Sequence, residues 1–172
     1  MTKQITLSDA HNLFTGAVNW FLVTSLRNRF RLKYFVETGA GGGHTARNAA
    51  VMFERVWTIE VDPERMGWVR KYCEGVENIT MVEGDSAQVL PGICEELGDG
   101  GTLFYLDAHW CGGKRVGPVE CPLLSELRCV CQRHGDVMIL DNAGMILNPP
   151  PAPHRPEEWP SIGDVCAVVQ DN

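Results

Sequence analysis

Acidic residues recur at one kind of place in this chain. Glu37, Glu60, Asp85, Asp107 and Asp141 follow five short apolar runs. The runs are Tyr34-Phe35-Val36, Val56-Trp57-Thr58-Ile59, Ile79-Thr80-Met81-Val82, Leu103-Phe104-Tyr105-Leu106 and Val137-Met138-Ile139-Leu140. Carboxylates gathered on one rim repel each other, so they call for hydroxyl donors, a cationic ligand or a metal. The first acid opens the turn Glu37-Thr38-Gly39-Ala40-Gly41-Gly42-Gly43-His44-Thr45. Glycines there allow positive φ and close approach of a ligand to the backbone. A carboxylate at that turn repels a pyrophosphate and welcomes an amino or sulfonium group. The dinucleotide fingerprint fits the turn poorly. Counted from Gly39, its third glycine falls on His44; counted from Gly41, it falls on Ala46, which the pattern tolerates. An NAD(P)-dependent oxidoreductase therefore stays open as an alternative.

Elements of known type must hold these acids in a row. The five runs are short, rich in β-branched and aromatic residues and bounded by breakers, as buried strands are. Helical segments separate them: 44–53, 63–73 with Asp62 as cap and Pro63 in the first turn, 86–97 stopped by Gly98, and 122–134 closed by Gly135. Strand then helix, repeated, predicts parallel βαβ units, whose carboxyl ends form a ligand-binding crevice. Ahead of them, Phe14, Val18, Phe21, Leu22 and Leu26 predict an amphipathic helix capped by Ser8 or Asp9 and ending in Arg27, Arg29, Arg31 and Lys33. Six prolines between 149 and 160 predict an extended loop rather than a packed element. Ser161-Ile162-Gly163-Asp164 then resembles a capping box opening a last short helix.

Composition narrows the classes. At 172 residues and 44% hydrophobic, the chain suits one folded domain, so disorder is excluded for most of it. No apolar run approaches the ~20 residues of a membrane span. A net charge of −7 disfavours nucleic-acid backbones as partners. The beginning of the chain carries no signal pattern, and free thiols are expected from the seven cysteines, which together predict a cytoplasmic protein. Cys111, Cys121, Cys129 and Cys131 lack the CxxC spacing of a zinc site.

Glu37-x-Gly39-x-Gly41-x-Gly43 resembles motif I of the class I S-adenosylmethionine-dependent methyltransferases. Thr58-Ile59-Glu60-Val61-Asp62-Pro63-Glu64 resembles that family's second strand, whose acid holds the ribose hydroxyls. Glu83-Gly84-Asp85-Ser86 is similar to its adenine-side segment, and Leu106-Asp107-Ala108-His109-Trp110 to its fourth-strand motif. The resemblance runs from about Tyr34 to Asn142. It implies an α/β, Rossmann-like, doubly wound sheet in a three-layer αβα domain. The cofactor would be S-adenosylmethionine, with Glu37, Gly39, Gly41, Gly43 and Thr45 toward its amino-acid end and Glu60 on the ribose. Asp85 and Ser86 would lie toward adenine, with Asp107, His109 and Trp110 on the remaining wall.

Leu106-Asp107-Ala108-His109-Trp110 followed by Cys121-Pro122-Leu123-Leu124 looks closest to catechol-type O-methyltransferases and bacterial LDAHW-motif proteins. That implies O-methylation of a small-molecule acceptor. It also implies Mg²⁺ held by Asp107, Asp141 and Asn142, and catalytic roles for Asp107 and Lys114. Plainer readings stand beside these: Asp141-Asn142 as a turn, Ser86 as a helix cap, Trp110 as core, the whole as a non-catalytic binding protein. The family sheet has seven strands, and only five are placed here, with the C-terminal ones missing. A reduced fold or a homo-oligomer covering the open edge is therefore expected. The expected organisation is one domain over 1–172: N-terminal helix 1–33, βα core 34–147, Pro-rich loop 148–160 and C-terminal helix 161–172.

Overall fold

The computed structural model describes residues 18–98 and 100–171. Five parallel strands make one sheet: β1 (Tyr34–Thr38), β2 (Arg55–Glu60), β3 (Ile79–Glu83), β4 (Thr102–Leu106) and β5 (Val137–Leu140). Their order is β3-β2-β1-β4-β5, so the direction of winding reverses between β1 and β4. Tyr34 pairs with Arg55 on one side and with Thr102 on the other. Along β1, Phe35 and Val36 point to opposite faces, and each face builds its own core. Phe35, Val56 and Leu103 pack with α1 (Trp20–Phe30), α2 (His44–Ala49) and α3 (Pro63–Tyr72). Val36, Trp57 and Phe104 pack with α4 (Ser86–Leu97), α5 (Leu123–Val130), α6 (Ala143–Leu147) and α7 (Ile162–Gln170). Burying one such side chain stabilises by about 1.5–3 kcal/mol, which explains the unbroken apolar runs of β1 and β4. The α/β, doubly wound, three-layer expectation holds.

Several boundaries move. The cap expected at Ser8 or Asp9, and Phe14, lie outside the described residues. The described helix starts at Trp20, where the Asn19 side chain accepts from the Leu22 N–H at 3.1 Å. Its inner face is Trp20 and Val23, whereas Phe21 is 81% exposed, so the expected stripe is rotated. Helix α2 ends at Ala49, short of Phe53, and α5 ends at Val130, short of His134. Arg133 there turns back to bond Asp136, the Cys94 carbonyl and the Gly98 carbonyl instead of continuing the helix. The proline-rich stretch does pack: it contains a 3₁₀ turn, Pro156–Glu158, and buries Trp159 and Pro160. The capping box of α7 forms as expected from Ser161 and Asp164. Among the described residues no helix is long and apolar enough to cross a membrane.

Candidate ligand site at the strand rim

A cavity opens over the carboxyl ends of β1, β2 and β4, on the side where the winding reverses. Gly39, Gly41, Glu60, Asp62, Asp85 and Ser86 line one part of it; Asp107, His109, Trp110, Lys114 and Glu120 line another. Open α/β sheets bind ligands at such a reversal.

The glycine turn is shaped by its neighbours. Gly39 has φ +78°, and a Cβ there would lie 2.6 Å from the Asp107 carbonyl oxygen, so only glycine lets β1 and β4 close up. Thr38 Oγ1 fastens the same seam by accepting from the Asp107 and Ala108 N–H groups at 3.1 and 3.3 Å. A Cβ at Gly41 would meet nothing within 4 Å, which leaves open space over that residue for a ligand. Gly43 turns away from the cavity: it caps α2 and lies against Val69 and Cys73, so its role is packing.

Glu60 is the best-held carboxylate. It is 6% exposed, and its oxygens accept from the Gly41 N–H at 2.8 Å and the Asp62 N–H at 3.0 Å. Each oxygen keeps a lone pair for a hydroxyl donor. Asp62 and Asp85 cap α3 and α4, accepting from Glu64 and Ala87 N–H groups, so both face the cavity from helix starts. Ser86 is buried at the start of α4, with its Oγ beside the Glu126 carboxyl.

Glu37 departs from its expected place. It is 1% exposed and outside the cavity lining, and it accepts from Thr58 Oγ1 at 2.6 Å. Burial pushes its carboxyl up to about 8, against the Thr58 and Thr45 hydroxyls, which pull it down. The partner demanded by that buried acid is therefore Thr58, with Thr45 beside it, rather than a ligand. Thr45 likewise stays off the cavity wall.

On the other wall, Asp107 and Asp141 crowd together. Burial first, and then Asp141, push the Asp107 carboxyl up to about 9. The His109 Nδ1 lies 2.9 Å from the Asp107 carbonyl oxygen, and its Nε2 lies 3.0 Å from the Asn142 Nδ2. These contacts select the tautomer with a proton on Nδ1, and burial lowers the ring's pKa, so it is neutral. Asn142 also donates from Nδ2 to Asp141 at 2.7 Å. The structure thus brings the three expected metal ligands together, but Asn142 turns its amide N–H groups inward. As placed, they do not present three oxygens, and they do not fit the implied Mg²⁺. Among the described residues no three His, Cys, Asp or Glu side chains converge as a metal site.

The loop 107–122, which carries the expected Asp107, His109, Trp110 and Lys114, forms the roof. The Trp110 N–H donates to the Glu120 carbonyl at 2.7 Å, closing the loop's two ends. Glu120, 1% exposed, anchors the proline-rich stretch: it accepts from Trp159 Nε1 at 2.9 Å and the Arg155 N–H at 3.1 Å. His154 Nδ1 lies 3.2 Å from its carboxylate, and Arg115 3.4 Å. Burial alone would raise this carboxyl, yet these donors hold it below the ordinary range. Trp110 packs edge-on to His154, and His109 lies against Trp159. Arg65 donates to the Cys111 sulfur at 3.2 Å and lines the cavity, while Lys114 is exposed at its mouth. Neither Arg65 nor Glu120 carried a motif. Arg65 could have been found only as the residue one helical turn beyond the cap Asp62.

No protein-family model and no curated protein matches the chain. Among solved structures, it resembles a Klebsiella pneumoniae protein assigned as an O-methyltransferase, at 21% identity and TM-score 0.59. That alignment covers 96% of this chain and 74% of the other. It resembles a Staphylococcus aureus protein assigned as a caffeoyl-CoA O-methyltransferase at 14% identity and TM-score 0.61, covering 95% and 76%. It also resembles the O-methyltransferase TomG of Streptomyces achromogenes, involved in tomaymycin synthesis and solved with S-adenosylmethionine, at 15% identity and TM-score 0.59, covering 97% and 69%. At these identities the likeness shows the fold: the chain has the Rossmann-like fold of the class I methyltransferases.

Proposed function

We propose that this chain is an S-adenosylmethionine-dependent methyltransferase acting on an oxygen of a small-molecule acceptor. The observation that carries the reading is Glu60, held by the Gly41 and Asp62 N–H groups beside the open space over Gly41. In that position it would accept from the two ribose hydroxyls. The Ser86 hydroxyl and the capping Asp85 supply polar atoms where the adenine would lie. Glu60, Asp62 and Asp85 put three carboxylates on one part of the lining, whose cations are Arg65 and Lys114, a balance suited to a cofactor carrying ammonium and sulfonium charge.

The bound cofactor would supply an activated methyl group for in-line displacement. The chain would supply position: Trp110 and the roof exclude water, and Asp107 and Lys114 flank the acceptor's entrance. Asp107 would orient the acceptor, and Lys114 would take its proton. No step passes through a metal, because Asn142 is spent on Asp141 and His109. The O-methyltransferase assignments of the similar structures support the acceptor atom.

Titration calorimetry with S-adenosylhomocysteine and with NAD tests the reading. Binding of the first, with a micromolar Kd that Glu60→Ala weakens, is the expected result. Binding of NAD alone, or of neither, overturns it.

A further inference from the structure

Two thiols lie behind the cavity, and the proposed methyl transfer does not use them. Cys94 is on α4 and Cys129 on α5, and their sulfurs are 3.6 Å apart. The helices are packed together through Leu90, Ile93, Leu127 and Val130 on one sheet face. Arg133 sits beside the pair, donating from Nη1 to the Cys94 carbonyl at 2.7 Å and from Nε to Asp136 at 2.7 Å. Cys94 is buried and Cys129 half-buried, so only the second meets a small solute first.

We propose that Cys94 and Cys129 are a thiol oxidation site, joined by a reversible disulfide that clamps α4 to α5. The sulfurs need to approach from 3.6 Å to ~2.05 Å, which rotation about the Cα–Cβ bonds and a small shift of the packed helices supply. The Cys94 thiol and the Arg133 guanidinium together lower the Cys129 pKa, which makes Cys129 the attacking thiolate. The proton shared with Cys129, and then burial, raise Cys94, so Cys94 remains the thiol that resolves.

The chemistry needs a hydroperoxide as oxidant. The Cys129 thiolate attacks its O–O bond; an S–O bond forms, the O–O bond breaks, and the leaving oxygen departs as water or alcohol once protonated. The Cys94 sulfur then attacks the sulfenic sulfur. An S–S bond forms, the S–O bond breaks, and hydroxide leaves with the Cys94 proton as water. Two electrons pass from the sulfurs to the peroxide, and a dithiol reductant reverses the result.

The clamp would act on the cavity wall, because α4 begins at Ser86, which lies beside Glu126 of α5. This inference stands whether or not the chain transfers methyl groups, since its readout is the cross-link itself. Titrating the reduced protein with hydrogen peroxide should lower its intact mass by ~2 Da per bridge and raise its Tm by about 10 °C. Peptide mapping should find the link between Cys94 and Cys129. Dithiothreitol should restore mass and Tm. Cys94→Ser and Cys129→Ser should each abolish the link, while Cys131→Ser keeps it; near-UV circular dichroism checks that each variant is folded. A link between other cysteines, oxygen addition at Cys129 with no link, or a link without a rise in Tm overturns the proposal.

Discussion

Trp159 donates its indole N–H to Glu120 at 2.9 Å, and both residues are buried. Through this bond the proline-rich stretch holds the roof of the cavity, since Glu120 also closes the loop that starts at Trp110. Trp159→Phe keeps the ring and removes the donor, leaving a buried carboxylate one bond short. The expected loss is about 1–3 kcal/mol of unfolding free energy. Urea unfolding measures it, and a change within ±0.3 kcal/mol would show that the roof does not depend on this bond.

The seam between β1 and β4 predicts a second effect. Gly39→Ala forces a Cβ to within 2.6 Å of the Asp107 carbonyl oxygen at φ +78°. Strain and overlap together should destabilise by more than about 2 kcal/mol. Gly41→Ala, with open space at the same distance, should cost less in stability and more in ligand affinity, so the pair of variants separates fold from site.

Glu126 sets a pH dependence. It is 1% exposed on α5, beside the Ser86 and Thr38 hydroxyls. Burial pushes its carboxyl from 4.5 up to about 7, with the Ser86 and Thr38 hydroxyls pulling the other way and Asp85 adding to the rise. The folded protein therefore holds this proton more tightly than the unfolded chain. Its contribution to stability is fully present below pH 4.5 and is lost as pH rises through about 7. The loss is about 3 kcal/mol. Glu126→Gln should raise Tm at pH 8 and leave it nearly unchanged at pH 4.5. Equal shifts at both pH values would contradict the assignment.

Glu60 predicts the affinity of the site. Glu60→Ala removes the carboxylate that accepts from Gly41 and Asp62 and, in the proposed reading, from the ribose. S-adenosylhomocysteine binding should weaken at least tenfold, about 1.4 kcal/mol or more. Gln at this position keeps an acceptor and should fall between wild type and Ala.

Strands, their parallel pairing and the rim of acids were legible because buried parallel strands are short apolar runs, and the residue after each run is forced to the carboxyl end of the sheet. Helix starts were legible at Asp62 and Ser161, whereas at α4 the cap is Asp85, one residue before the expected Ser86, and the Asn19 cap of α1 was not read. The end of α4 at Gly98 was legible too, but that of α5 was not: Arg133 beyond it reaches carbonyls on α4 and after it, a tertiary event with no local signal. The partner of Glu37 was illegible for a similar reason. The sequence shows that a buried acid needs a partner, but Thr58 is 21 positions away and becomes its neighbour only through the pairing of β1 with β2. The roof was illegible because Glu120, His154 and Trp159 meet through side chains of two loops, and loops lack the periodicity that reveals strands and helices.

The central strand comes first in the chain, and this fixes when the site can exist. On the ribosome, β1 can pair with β2, and β2 with β3, while β4 is still unmade. Until Leu106 emerges, the other edge of β1, with Phe35 and Val36, stays unpaired and open to wrong partners. The seam where Gly39 meets Asp107 closes only once β4 is made, and β5 and the Trp159 anchor of the roof follow it. The cavity is thus assembled in the order of the chain: its Glu60 wall with β2, its Asp107 wall with β4, and its anchored roof only when Trp159 reaches Glu120.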